Sequence, residues 1–191
     1  MGSPKALLKI KERAFLERVL DIYNSADIPR YVVLGTHARL IEKQMDLSSA
    51  TVLKNPEPVR GPLSSLLIAL EEVPDSAAFI LHPVDHPLVS VNTIRRLIEG
   101  HRRVPHCILI PSYCGRRGHP VLIPSKYYPD IRSAPLGEGA RWAVRANRAS
   151  NHLLAVADRG ILINIDTQAD YRQLVGLPRL DQPPITAPQE Q

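Results

Sequence analysis

Apolar residues recur along this chain with two different periods, and the switches between them outline the fold. Leu16, Val19, Leu20 and Tyr23 fall on one face of a helix running from Phe15 to about Tyr23. Tyr31–Leu34 then reads as a short buried strand leaving through Gly35, and ATVLKN (50–55) as a second. After Gly61-Pro62 the helical period returns with Leu63, Leu66, Leu67 and Leu70. Ala77 to Leu81 is apolar at every position, the pattern of a strand covered on both faces in a parallel sheet. Ser90 suits the N-cap of a helix that carries Ile94, Leu97 and Ile98 and closes near Gly100.

HCILIPSY and HPVLIP give two more strands around the polar loop CGRRG, and GEGARWAVRAN a short helix. HLLAVA and GILINID predict a hairpin or adjacent pair around Asp158-Arg159-Gly160, and TQADYRQLVGL a last helix. The alternation predicts a doubly wound, three-layer α/β/α domain over residues 1–177. Its sheet should be mostly parallel, with the two late strands as an antiparallel or mixed addition. The Pro- and Gln-rich tail, 178–191, has no periodicity and is expected to be loosely held.

Ligands in such sheets bind outside the carboxyl ends of the strands, which selects the residues worth chemical attention. Asp85 follows one buried strand and could hold a hard divalent cation, or merely shape the turn before Pro87. Asp166 ends the apolar run Ile161–Ile165 and could pair with it, or serve as a routine helix N-cap. In YCGRRGHPVLI, Gly115 and Gly118 would let backbone approach a ligand, Arg116 and Arg117 attract phosphate, and His119 donate a hydrogen bond or a proton near neutral pH. The same loop also reads as a solvated hairpin turn. Lys5, ahead of Ala6-Leu7-Leu8, could steady phosphates as a point charge. His82 and His86 lack zinc-site spacing and read as structural or supporting residues.

Composition narrows the partners. In 191 residues, 44% are hydrophobic and 23% charged, which suits one good-sized core. No apolar run could span a bilayer or form a signal-peptide core, so a cytoplasmic protein without membrane contact is expected. Cys107 and Cys114 make neither a disulfide framework nor a metal-type pair. The net charge of +5 favours an anionic partner; with aromatics at 5%, a small phosphorylated ligand is expected rather than nucleic acid. The nucleophile elbow, the complete P-loop and the dinucleotide-binding glycine pattern are all missing from the sequence.

MGSPKALL, FLERVL, VVLG, GPLSSLLIAL, DHPLV, TIRRLI, GRRGHPVLI, GAR and NIDTQADY, in this order, resemble the MobA-like NTP transferases of molybdenum-cofactor maturation. The likeness is greatest to the cytidylyltransferase branch and implies a nucleotide-diphospho-sugar transferase fold. The implied reaction joins a nucleoside triphosphate, CTP favoured, to the molybdopterin phosphate and releases pyrophosphate, with Mg2+ as cofactor. By the same resemblance Asp85 and Asp166 hold the metal, Lys5 binds the triphosphate, and Gly2, Gly61 and Ser65 belong to the nucleotide site. Gly118, His119 and Arg141 match positions on the pterin side. A molybdoenzyme or maturation protein is an implied partner.

The family's LAAGxSxRMG strand and loop are matched here only by Met1 and Gly2. That strand belongs in mid-sheet, so its loss is expected to leave apolar surface and an open edge that invites self-association. Gln168 also stands where the family has proline, and GEGAR is one residue shorter than the usual loop. Two readings therefore stand at this point: an active transferase, or a shortened homologue that binds without transfer. A third, a sugar-phosphate nucleotidyltransferase, is opposed by RGHPVL.

Overall fold

The structure is a computed structural model that describes residues 4–73, 76–135 and 137–176. A tight hairpin of β1 (Lys9–Ile10) and β2 (Arg13–Ala14) leads into α1 (Phe15–Asn24), which buries Leu16, Val19, Leu20 and Tyr23 as its spacing requires. Strand β3 (Tyr31–Leu34) is followed by α2 (Ala38–Gln44) and β4 (Thr51–Lys54), and β3 and β4 pair in parallel. Then come α3 (Pro62–Glu72), β5 (Ala78–Leu81) and α4 (Val91–Arg103), the last capped by the Ser90 hydroxyl as expected. α4 runs past Gly100 to Arg103.

A second sheet is built on β6 (Ile108–Tyr113), which pairs with β8 (Val121–Pro124), with the two-residue β7 (Arg116–Arg117) and with β9 (Asn151–Ala155). β8 in turn pairs with β5. β5, β6 and β9 share one direction and β8 alone of the longer strands opposes them, so the central sheet is mostly parallel. Short helices α5 (Tyr128–Arg132) and α6 (Ala140–Ala146) follow β8, and α7 (Gln168–Gly176) ends the described chain. This is the three-layer architecture the alternation predicts.

The two sheets are not hydrogen-bonded to each other among the described residues. Every residue of β5 is only half-buried, whereas all of β8 and the first five residues of β6 are buried. Helices bridge the gap. α3 sends Leu63, Leu66 and Leu70 into the core of β6 and β8, while α1 packs Leu16 and Leu20 with Leu34 and packs Val19 and Tyr23 with Val89 and Ile94.

Two expectations are corrected here. The antiparallel strand is β8, not a late addition; β9 pairs with β6 in parallel. Moreover GILI does not form a hairpin strand: Arg159–Leu162 winds into a 3₁₀ turn. The cause is Asp158. Its carboxylate accepts from Gly160 N at 2.8 Å, curling the chain at once, and also from Ser90 N and Thr93 Oγ1, both at 2.7 Å. The segment 158–165 thus becomes a strap across the start of α4 rather than a strand.

The strap is held at two further points. Ile161 O accepts from His119 N at 3.0 Å, and Ile165 N donates to Asp85 O at 2.9 Å. A β-carbon at Gly118 would lie 2.3 Å from Ile161 O, so the close backbone approach foreseen for this glycine is to the chain's own strap. Asp158→Ala leaves three donors without their charged acceptor. It should lower unfolding free energy by about 3 kcal/mol in urea titration; a loss below about 0.5 kcal/mol would show that the strap is held by other contacts.

Candidate active site

Asp85 lies in the loop after β5, in a turn closed by His86 N donating to Pro83 O at 3.1 Å. Asp166 is the residue after Ile165, whose amide is tied to Asp85 O. One backbone bond therefore brings together carboxylates that are distant in sequence. Lys5, at the start of a buried-alanine 3₁₀ turn, completes the group. Its Nζ donates to Asp85 Oδ2 at 3.1 Å and to Asp166 Oδ1 at 2.5 Å.

Asp166 is not the cap of α7. Thr167 takes that part: its Oγ1 accepts from Asp170 N at 3.1 Å, while Asp170 Oδ2 accepts from Thr167 N at 2.7 Å, a reciprocal capping box. The Asp166 carboxylate is left free for Lys5 and for Asn164 Nδ2, which donates at 2.6 Å. The hydrogen bond from Lys5 leads in holding the Asp166 carboxyl below the usual aspartate range, despite some opposing desolvation. Burial works to lower the Lys5 pKa, but the hydrogen bonds and charges of Asp166 and Asp85 outweigh it and raise the value.

The carboxylates converge on a single cation position and offer only hard oxygen donors, which fits a divalent ion such as Mg2+ or Mn2+. Among the described residues there is no cluster of three or more His, Cys, Asp or Glu suited to a metal. Two carboxylates would leave most of an ion's coordination to water and to a ligand's phosphates, the usual Mg2+ arrangement.

A histidine group lies beneath. His82 is satisfied on both ring nitrogens, by Tyr23 OH at 3.0 Å and His86 O at 2.9 Å, which fits the structural reading of it. His86 is buried beside Asp85 and its ring centre is 4.8 Å from that of His119. Desolvation, then the neighbouring His86, pushes the His119 pKa down to about 4. His119 is therefore neutral near pH 7. Of the two roles open to it, the neutral ring favours the hydrogen bond, since it offers one donor and one acceptor. Arg141, the second residue of α6, is exposed, and its charge reaches His119.

Gly61, at the start of α3, has a φ of 84°, a left-handed conformation that favours glycine. Ser65 stands half-buried in the first turns of α3. The start of α3 is tied down by a residue that the sequence pattern does not single out. Asn55 follows β4 and is 6% exposed; its Nδ2 donates to Ser64 Oγ at 2.8 Å and Ser65 Oγ at 3.0 Å. A polar residue at the carboxyl end of an apolar strand was the available signal. Val84 packs in one cluster with Leu34, the last residue of β3, so the loops after β3 and β5 adjoin. Gly2 lies outside the described residues.

Solved structures define the class. The chain is similar to Rv0371c of Mycobacterium tuberculosis, with 27% identity, 92% of this chain and 90% of that chain covered, and TM-score 0.79. A second structure, described as Rv0371c in complex with manganese, gives 28% identity, coverage of 91% and 92%, and TM-score 0.77. The Thermus thermophilus 2-C-methyl-D-erythritol 4-phosphate cytidylyltransferase shares the fold at 17% identity, TM-score 0.65 and coverage of 91% and 93%. The architecture is thus the nucleotide-diphospho-sugar transferase fold.

Residues 1–153 match the MobA-like NTP transferase domain, and the chain belongs to that family of nucleotidyltransferases. It is 28% identical to nicotine blue oxidoreductase of Paenarthrobacter nicotinovorans, covering 90% of this chain and 88% of that one. With molybdenum cofactor cytidylyltransferase of Escherichia coli it shares 23%, covering 90% and 86%. A probable molybdenum cofactor guanylyltransferase of Bacillus mycoides is 31% identical over 51% of this chain and 48% of that one. No described helix is long and apolar enough to cross a membrane.

The depressed Asp166 carboxyl carries a pH signature. Its bond to Lys5 contributes stability above the ordinary aspartate range, and the contribution is lost as pH falls through the lowered folded value. In Lys5→Ala the Asp166 titration midpoint, read by carboxyl NMR, should rise toward the ordinary value. An unmoved midpoint contradicts the contact.

Proposed function

We propose that this chain transfers a nucleotidyl group from a nucleoside triphosphate, CTP favoured, to the terminal phosphate of a molybdopterin-type acceptor. The observation that carries the proposal is the convergence of Asp85 and Asp166 on one cation position beside Lys5. Transfer requires an acceptor phosphate oxygen to bond to the α-phosphorus as the bond to the β-phosphate oxygen breaks and pyrophosphate leaves. The attacking phosphate is already anionic, so no side chain need remove a proton. The difficulty is crowding of negative charge, and the site's contribution is to offset it and align the reactants.

Asp85 and Asp166 would hold Mg2+, which when bound polarises phosphoryl oxygens and offsets their charge. The manganese complex of the similar mycobacterial protein supports a divalent ion at such a fold. Lys5 Nζ occupies the point between the carboxylates and is tethered close enough to serve an entering polyphosphate as a second cation. Gly61 and Ser65 face the nucleotide base, and Gly118, His119 and Arg141 the acceptor. Neutral His119 contributes a hydrogen bond there, not a proton. The cytidylyltransferase relative, matched along most of the chain, supports CTP.

The assay is pyrophosphate release from CTP, GTP or ATP with Mg2+ and molybdopterin as acceptor. CTP should be used best, and Asp85→Asn should lower kcat/KM by about 100-fold or more. Acceptor-dependent release that Asp85→Asn leaves unchanged would remove Asp85 from the mechanism. Absence of release with all three nucleotides would overturn the transferase reading and leave a binding role.

A further inference from the structure

We propose that Lys5 is a stand-in cation which a divalent ion has to displace, and that its release onto a ligand's phosphates makes metal and nucleotide bind cooperatively. The inference rests on the reading above that Asp85 and Asp166 hold the ion. Lys5 then has a part that a fixed phosphate-binding lysine lacks: it opposes the metal until a nucleotide is present.

The four carboxylate oxygens divide two and two. Lys5 Nζ donates to Asp85 Oδ2 at 3.1 Å and to Asp166 Oδ1 at 2.5 Å. Of the other two, Asp166 Oδ2 accepts from Asn164 Nδ2 at 2.6 Å. Asp85 Oδ1 lies 4.0 Å from Nε2 of the buried His86 ring. The pair of oxygens that shares one point is thus the pair that the ammonium bridges.

An ion bonded to both of those oxygens at about 2.1 Å would lie at the ammonium's position or just across the oxygens from it. In either place two positive charges face each other with no room for water between them. Such a pair repels strongly in a partly desolvated site. The ion therefore enters as Lys5 leaves.

Lys5 can leave only by its side chain. Its backbone is set in the 3₁₀ turn Lys5–Leu7 over the buried Ala6, with Leu7 N donating to Pro4 O at 2.9 Å and Leu8 N to Lys5 O at 3.1 Å. The side chain itself is 31% exposed, so its flexible four-carbon stem can swing while its root stays in place. A swung ammonium remains at the site but has lost both carboxylates. Metal alone thus breaks two charged hydrogen bonds. Metal with a polyphosphate replaces them, because phosphate oxygens give the ammonium new acceptors and the ion further ligands. The tie also works in reverse: without metal, Lys5 is held on the aspartates, whose charge repels a nucleotide's phosphates. Each ligand removes what opposes the other, which is positive coupling in both directions.

Equilibrium dialysis measures Mn2+ bound to the full chain and to Lys5→Met, with and without saturating CTP. The variant keeps an unbranched side chain of similar length and removes its charge; circular dichroism checks that it folds. Without CTP, Lys5→Met should bind Mn2+ about tenfold more tightly than the unaltered chain. The gain in Mn2+ affinity on adding CTP should fall in the variant by about the same factor. NMR of the Lys5 ε-methylene group in the unaltered chain gives a direct view: Mg2+ alone should shift its signal, and CTP with Mg2+ should shift it again. Equal Mn2+ affinity of the two chains without CTP, or a Lys5 signal unmoved at saturating Mg2+, overturns the inference and leaves the carboxylate site standing. The NMR measurement decides the matter even if Lys5→Met does not fold. Mn2+ bound by neither chain, with CTP or without, overturns the metal-site reading and the inference together. Mn2+ and Lys5 behaving as stated in a chain that releases no pyrophosphate would leave the inference standing and overturn the transferase reading alone.

Discussion

The strap from Asp158 to Ile165 is the constraint on which the rest of this structure depends. It passes from the start of α4 to the loop after β5 and is bonded at each crossing: Asp158 to Ser90 and Thr93, Ile161 to His119, and Ile165 to Asp85. Without it, the acidic residue after β5 and the one before α7 belong to separate loops. With it, they share one cation position. The strap also turns the GRRGHP loop toward the same place through Gly118, whose lack of a side chain is what lets the loop seat on Ile161 O. A contact made for packing thus assembles the chemistry.

Electrostatics follows from that assembly. Two carboxylates forced together repel, and in the structure Lys5 relieves them. Beneath them the buried His86 and the His119 ring are kept neutral largely by desolvation, so the site does not gather extra positive charge at neutral pH. Lys5 stands between the two carboxylates, and the charge of exposed Arg141 reaches the His119 ring.

Much of the fold is legible in sequence because the helices obey a strict period, as Leu16–Val19–Leu20–Tyr23 does. The uniform run 78–81 marks a strand but misleads on its cover, since β5 is half-buried and pairs antiparallel with β8. The helix Ala38–Gln44 is harder to read, since of its residues only Ile41 is buried and no stripe marks it. GILI looks like a strand because the winding signal, an aspartate two residues before a glycine, acts through one side-chain bond that periodicity does not register. Lys5, Asp85 and Asp166 stand out singly, the two aspartates as residues at strand ends; their meeting point depends on the strap and is invisible to spacing. Asn55 does not stand out, because its contacts are to serine hydroxyls of another element, which spacing does not register.

On the reading proposed above, Asp85 and Asp166 form one divalent-cation site completed by a nucleotide. Electron paramagnetic resonance of Mn2+ titrated into the protein with CTP tests it most directly. One tightly held ion per chain is expected, with a signal that depends on CTP and is lost in the Asp85→Asn, Asp166→Asn double variant. Mn2+ held equally well by that variant, or held without regard to nucleotide, would contradict it.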